Sequence, residues 1–208
     1  NLTSAPVITN AVHYNSTFWT AISPSGGSQF DYYVDQQTGQ GEGDIVGDGG
    51  LNPGFQVNFY DNGIASNTDG TLSFRFRLAE GGSNFYMVGI DADVDGIIDV
   101  FVKMDTANKD EISILANGGD LNISPSTTDI GAELYAVATT VYTLDLSTVT
   151  VIDGNTVTAD LDVDTNTDAY VSGLLPFSEF VTSLARANIL ISLIIEHPLR
   201  YAFTTSVN

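Results

Sequence analysis

The sequence predicts an all-β fold: a single β-sandwich, jelly-roll-like, with one short helix and an extended N-terminal segment. Three observations predict it. Apolar and polar residues alternate over much of the chain, as in Thr71–Leu78, the period of a strand with one buried face. The polar residues are mostly Thr, Ser, Asn, Asp and Gly, which favour turns and strand edges over helix interiors. With 208 residues, 43% of them hydrophobic, the chain can bury one sizeable core without splitting.

Taken in order, Asn1–Tyr14 reads as extended, since the residue before Pro6 is held to β or polyproline geometry. It forms a segment of its own (residues 1–14) ahead of the sandwich domain (residues 15–208). Ser23–Pro53 is rich in Gly, Ser, Gln and Asp and reads as a long loop region. In Thr71–Leu78, Leu72, Phe74, Phe76 and Leu78 point one way and Ser73, Arg75 and Arg77 the other, which predicts a half-buried strand. Further strands are expected at Asn84–Ile90, Ile97–Met104, Glu111–Leu115, Leu134–Leu144, Thr148–Ile152, Thr156–Val163, Ala169–Leu174, Leu190–Ile195 and Leu199–Thr205. Asp153-Gly154-Asn155 is a tight-turn signal. One helix is expected at Glu179–Ala187, with Ser178 as N-cap and Glu179 favourable in the first turn. Its Phe180, Leu184 and Ala187 share a face. No domain boundary and no long-period repeat stands out.

Twenty-six acidic residues against six basic ones leave a net charge of −20. Such a surface repels nucleic acid and anionic lipid, and it repels itself unless cations neutralise part of it. There is no cysteine, which excludes disulfides, thiol catalysis and thiolate metal sites. The chain starts at Asn1, which reads as a processed mature chain whose signal peptide has been removed. No apolar run reaches the ~20 residues that span a bilayer; Ile189–Ile195 is broken by Ser192.

The most informative segment is Asp91-Ala92-Asp93-Val94-Asp95-Gly96-Ile97-Ile98-Asp99. Calcium takes six to eight hard oxygen ligands in flexible geometry. Carboxylates at loop positions one, three and five (Asp91, Asp93, Asp95) can converge on one ion. Gly96 permits the sharp bend, the Ile97 carbonyl can turn inward, and Asp99 at position nine adds an oxygen directly or through water. Position twelve is Val102, so the bidentate Glu of an EF-hand is missing, and the flanks read as strands. The loop resembles the D-x-D-x-D-G-x-x-D loops of thrombospondin type-3 and integrin-like repeats, which implies bound Ca2+. Without metal it would be an acidic hairpin tip.

A second acidic set comprises Asp160, Asp162, Asp164, Asn166 and Asp168. Period two puts Asp160 and Asp162 on one face of the expected strand, opposite Ala159, Leu161 and Val163. The set reads either as a solvated strand face or as a second calcium site at the strand end, with Asp164 and Asp168. Asp61–Asp69 is a weaker third candidate.

Three strings, F-R-F-R-L at Phe74–Leu78, V-G-I-D-A-D-V-D-G-I-I-D-V-F-V at Val88–Val102 and N-I-S-P-S-T-T at Asn122–Thr128, resemble a group of secreted bacterial β-rich proteins without an assigned activity. The likeness extends to the P-F-S-E-F-V helix start and the final Y-A-F-T-T-S strand, over residues 44–206. It implies secretion and a calcium-loaded β fold, and no activity.

No catalytic motif is present: no G-x-S-x-G elbow, H-E-x-x-H helix or phosphate loop. His13 and His197 lie near no motif. A glycosidase needs only two carboxylates, but no pair is singled out. The expectation is a non-enzymatic, calcium-stabilised extracellular structural subunit (a filament, sheath or matrix), partnered by copies of itself, with Asn1–Tyr14 as a donated strand. A calcium-dependent carbohydrate-binding or adhesion module is the other reading, with Trp19, Tyr32 and Tyr33 as a stacking platform for glycans. Neither nucleic acid nor a membrane span is expected. Asn1, Asn15 and Asn122 head glycosylation sequons.

Overall fold

The computed structural model describes residues 20–21, 41–47, 53–60, 69–93, 95–107, 110–119, 129–138, 141–146, 151–152, 155–156, 158–189 and 200–206. Asn1–Tyr14, Trp19, Tyr32, Tyr33, both histidines, the three sequon asparagines, the strand expected at Leu190–Ile195 and most of Asp61–Asp69 lie outside them.

In chain order the strands are β1 (Thr20–Ala21), β2 (Phe55–Tyr60), β3 (Thr71–Leu78), β4 (Phe85–Asp91), β5 (Val100–Asp105), β6 (Glu111–Asn117), β7 (Ile130–Ala138), β8 (Val141–Asp145), β9 (Val151–Ile152), β10 (Asn155–Thr156), β11 (Ala169–Pro176) and β12 (Arg200–Ser206). A helix, α1 (Phe177–Arg186), follows β11. The strands form an all-β sandwich of two five-stranded sheets, ordered β1-β2-β3-β11-β8 and β12-β4-β5-β6-β7, with β9 and β10 as a small separate ladder. The pairings are antiparallel.

Alternation accounts for the core. Leu72, Phe74, Phe76 and Leu78 of β3 and Val171 and Leu175 of β11 face Tyr86, Val88 and Ile90 of β4, Val102 and Met104 of β5, and Ile112 and Ile114 of β6, all buried in one cluster. Phe76 meets Tyr86 at 5.9 Å between ring centroids. Helix α1 closes one flank: Phe180, Val181, Ser183 and Leu184 are buried, and Arg186 Nη1 donates to the Leu134 carbonyl of β7 at 2.6 Å.

Several expectations are corrected. Strand β3 is buried on both faces, not one. Ser73, Arg75 and Arg77 are at most 2% exposed. Arg75 donates through Nε and Nη2 to Gln56 Oε1 and lies 4.2 Å over the Tyr170 ring. Burial pushes the Arg75 guanidinium down to about 10. Alternation alone cannot tell a solvated polar face from a covered one. Leu134–Leu144 is two strands in different sheets, β7 and β8; continuous strand propensity carries no information about which sheet a strand joins. The strand expected from Ile97 begins at Val100, because Ile97 and Ile98 belong to the acidic loop. Among the described residues of Thr156–Val163 only Thr156 is strand; residues 158–168 are irregular. Finally, α1 starts at Phe177, after Pro176 in extended geometry, with no side-chain cap. The N–H of Phe177, the first helical residue, is taken by the Gly70 carbonyl.

Candidate metal loops

The nine residues Asp91–Asp99 join β4 to β5 across neighbouring, paired strands. Asp91 ends β4 and is 3% exposed. Its two oxygens accept the N–H groups of Asp95, at 3.2 Å, and Gly96, at 2.9 Å. Gly96 has φ +95°, a conformation that glycine adopts without steric cost. Asp95 Oδ1 accepts the Ile97 N–H at 2.8 Å, and Asp99 Oδ2 accepts the Ala92 N–H at 2.6 Å. The loop is closed by the Asp99 N–H on the Ile90 carbonyl. Asn117 of β6 fastens it sideways, through Nδ2 to the Ile98 carbonyl at 2.6 Å.

Asp160–Asp168, immediately before β11, repeats four of these bonds. Asp160 Oδ2 accepts the Thr165 N–H at 3.2 Å, as Asp91 accepts that of Gly96. Asp164 Oδ1 accepts the Asn166 N–H at 2.7 Å, as Asp95 accepts that of Ile97. The Asp168 carboxylate accepts the Leu161 N–H at 3.3 Å, as Asp99 accepts that of Ala92. The Asp168 N–H closes on the Ala159 carbonyl at 2.8 Å. Position six is Thr165 at φ +81°, where the first loop has Gly96.

The same three positions converge in both loops. Asp91, Asp93 and Asp99 each offer a carboxylate oxygen within 4.8 Å of the others, and so do Asp160, Asp162 and Asp168. Asp95 and Asp164 are outside these triads and serve the turns. Ile97 has an exposed side chain. Each triad could hold a metal ion. Carboxylates without His or Cys suit a hard cation, and three oxygens would be part of a shell completed by carbonyls and water. The second loop carries an acceptor without a donor: Asp160 Oδ1 is buried and receives no hydrogen bond, which is costly unless a cation takes it.

Electrostatically the loops differ at position nine. Burial raises the Asp99 carboxyl above the usual range, with the Asp93 and Asp91 charges adding and backbone N–H groups opposing. Asp168 is fully buried against Arg77, whose Nε and Nη2 lie 2.7 and 2.5 Å from Asp168 Oδ2. Arg77 Nη2 also donates to the Thr158 carbonyl at 2.6 Å. Burial pushes Asp168 up to about 6, with the Arg77 charge pulling the other way.

Sequence reasoning placed the first loop in register and found the aspartates of the second. It missed that the two are copies, and it missed Arg77. Aligning residues 91–102 with residues 160–171 exposes the copy: Asp recurs at positions one, three, five and nine, Val at four and twelve, and an aromatic (Phe101, Tyr170) at eleven.

Comparison of the chain with family models, with curated proteins and with solved structures finds no match. Among the described residues no helix is long and apolar enough to cross a membrane.

Proposed function

We propose that this chain is a non-catalytic, calcium-stabilised structural subunit of an extracellular assembly. The observation that carries the calcium reading is the recurrence, at two places in one sandwich, of the same hydrogen-bonded nine-residue loop with its carboxylates gathered at positions one, three and nine. A net charge of −20 favours cation uptake at both. In the first loop Asp91, Asp93 and Asp99 would supply carboxylate oxygens, with Asp95 close by, and Ile97 its carbonyl. In the second, Asp160, Asp162 and Asp168 would, with Asp164 close by. Bound ions would clamp β4 to β5 and tie the approach to β11, stiffening both sheets.

The assembly reading rests on the extended pattern of Asn1–Tyr14, a segment suited to adding as a strand to a sheet edge of another copy.

The test is removal of calcium. Metal analysis should find two Ca2+ per chain. Chelation should lower the melting temperature, since each site filled at a hundred times its Kd contributes about 2.7 kcal/mol. Electron microscopy with and without chelator should find ordered assemblies only with the ion. A metal-free purified protein whose melting temperature ignores chelator would remove the calcium reading. A calcium-binding protein that stays monomeric would remove the assembly.

A further inference from the structure

Asn117 ends β6 and ties it to the Asp91–Asp99 loop. Its N–H donates to the Asp99 carbonyl at 3.2 Å. Its Nδ2 donates to the Ile98 carbonyl at 2.6 Å, and its Oδ1 accepts the Gly119 N–H at 2.9 Å. The next nitrogen in the chain, Gly118 N, donates to the Asp129 carbonyl at 2.8 Å. Packing favours both members of this Asn-Gly pair. An amide at 117 supplies a donor for Ile98 and an acceptor for Gly119 together, which a carboxylate does not. A Cβ on Gly118 would meet Asp129 Cγ at 2.4 Å, so glycine leaves room for that side chain.

The same pair is chemically vulnerable. Glycine has no Cβ, so it is the least hindered neighbour for attack of a backbone nitrogen on an asparagine side chain, and asparagine is among the thermolabile residues. In that reaction the Gly118 nitrogen bonds to Asn117 Cγ. The Cγ–Nδ2 bond breaks, and ammonia leaves with the proton from Gly118 N. Water then opens the succinimide ring at one carbonyl or the other and leaves isoaspartate or aspartate. Attack needs the Asn117 amide free to turn and Gly118 N free of its hydrogen bond. The folded chain holds both: Nδ2 on Ile98, inside the acidic loop, and Gly118 N on Asp129, ahead of β7.

We infer that Asn117-Gly118 is a deamidation site held shut by the Asp91–Asp99 loop, and that its reaction unfastens the loop from β6 permanently. The product carries a carboxylate in place of the amide. It has no proton for the Ile98 carbonyl and adds a negative charge beside four aspartates. A transient opening of the loop is thereby made irreversible. The latch consists of hydrogen bonds within the protein; that calcium strengthens it rests on the proposed function above.

The test follows conversion of Asn117 in the whole chain at mildly alkaline pH, by peptide mapping and mass spectrometry, in calcium, in chelator and in denaturant. The chain's other Asn-Gly pair, Asn62-Gly63, reports the rate of the unfolded sequence in denaturant. There the two pairs should convert alike. In calcium Asn117 should convert about tenfold more slowly than in denaturant or slower still, and chelator should speed it about threefold or more. Asp91→Ala, which removes the acceptor of the Asp95 and Gly96 N–H groups, should convert faster than the parent in chelator, at a temperature where circular dichroism shows both folded. If that variant does not fold, the parent's three conditions decide. Asn117→Asp, which imitates one product, should melt below the parent. Conversion in calcium as fast as in denaturant overturns the inference, and so does a folded Asp91→Ala that converts no faster than the parent. Equal rates in calcium and chelator, in a chain that calorimetry shows to bind calcium, overturn it and leave the calcium reading standing. Protection that is lost in Asp91→Ala, in a chain that binds no calcium, upholds the latch and overturns the calcium reading.

Discussion

The two acidic loops share a hydrogen-bond plan but are supported differently. The Asp91 loop spans adjacent strands, bends at a glycine, and gives its ninth carboxylate to the N–H groups of Ala92 and Asp93. The Asp160 loop bends at Thr165, with Val163 also at positive φ (+61°). Both are β-branched, and such residues in the left-handed region cost on the order of 1–3 kcal/mol each. Its ninth carboxylate is locked to Arg77 on the covered face of β3. The first loop follows from its local sequence; the second is imposed by a contact formed far along the chain. A strained turn persists where a tertiary contact over-determines it.

Removing that contact should give the largest effect. Arg77→Met leaves the Asp168 carboxylate buried without its counter-charge and should cost about 3–5 kcal/mol by chemical denaturation. Adding Asp168→Leu should recover much of the loss; no recovery would mean that Arg77 matters for its stem and not its charge.

Next come the first-position aspartates in calcium-free protein. Asp91→Ala strands two backbone donors, those of Asp95 and Gly96, and should cost about 2–3 kcal/mol. Asp160→Ala strands one and should cost about half that. Equal losses would contradict the difference in support.

The bends should then respond in opposite directions. Gly96→Ala forces a Cβ into φ +95° and should destabilise by about 1 kcal/mol. Thr165→Gly relieves strain, offset by unfolded-state entropy, and should stabilise by about 0.5–1 kcal/mol. Thermal melts of both variants decide it.

The smallest effect is on pH. Asp168 titrates near 6 in the folded chain, above its ordinary value of 3.8. Its contribution is therefore complete below about pH 4 and is withdrawn as pH rises through about 6. In chelator, parent and Asp168→Asn should diverge over that interval; with calcium bound the carboxylate stays ionised and the divergence should vanish.

The fold was legible where alternation and burial coincide, as in β4, β6 and β11. Alternation misled in two places. At β3 it marked Arg75 and Arg77 as outward, which is true of their direction and false of their exposure. At Asp160–Asp164 the D-x-D-x-D spacing of an ion loop imitates the period of a strand, and the turn was hidden because Thr165 stands where glycine would have announced it. The ion pair between Arg77 and Asp168 joins residues on distant elements, so no local pattern could have reported it.

The sheets lie close together where β11 crosses β5. A Cβ on Gly173 would find Met104 Sδ at 2.6 Å, and Met104 is wholly enclosed. A sulfoxide oxygen on that thioether has nowhere to go in the closed sandwich. Peroxide should therefore modify Met104 only in molecules whose layers have separated, which makes the rate of its oxidation a label-free clock for opening of the core.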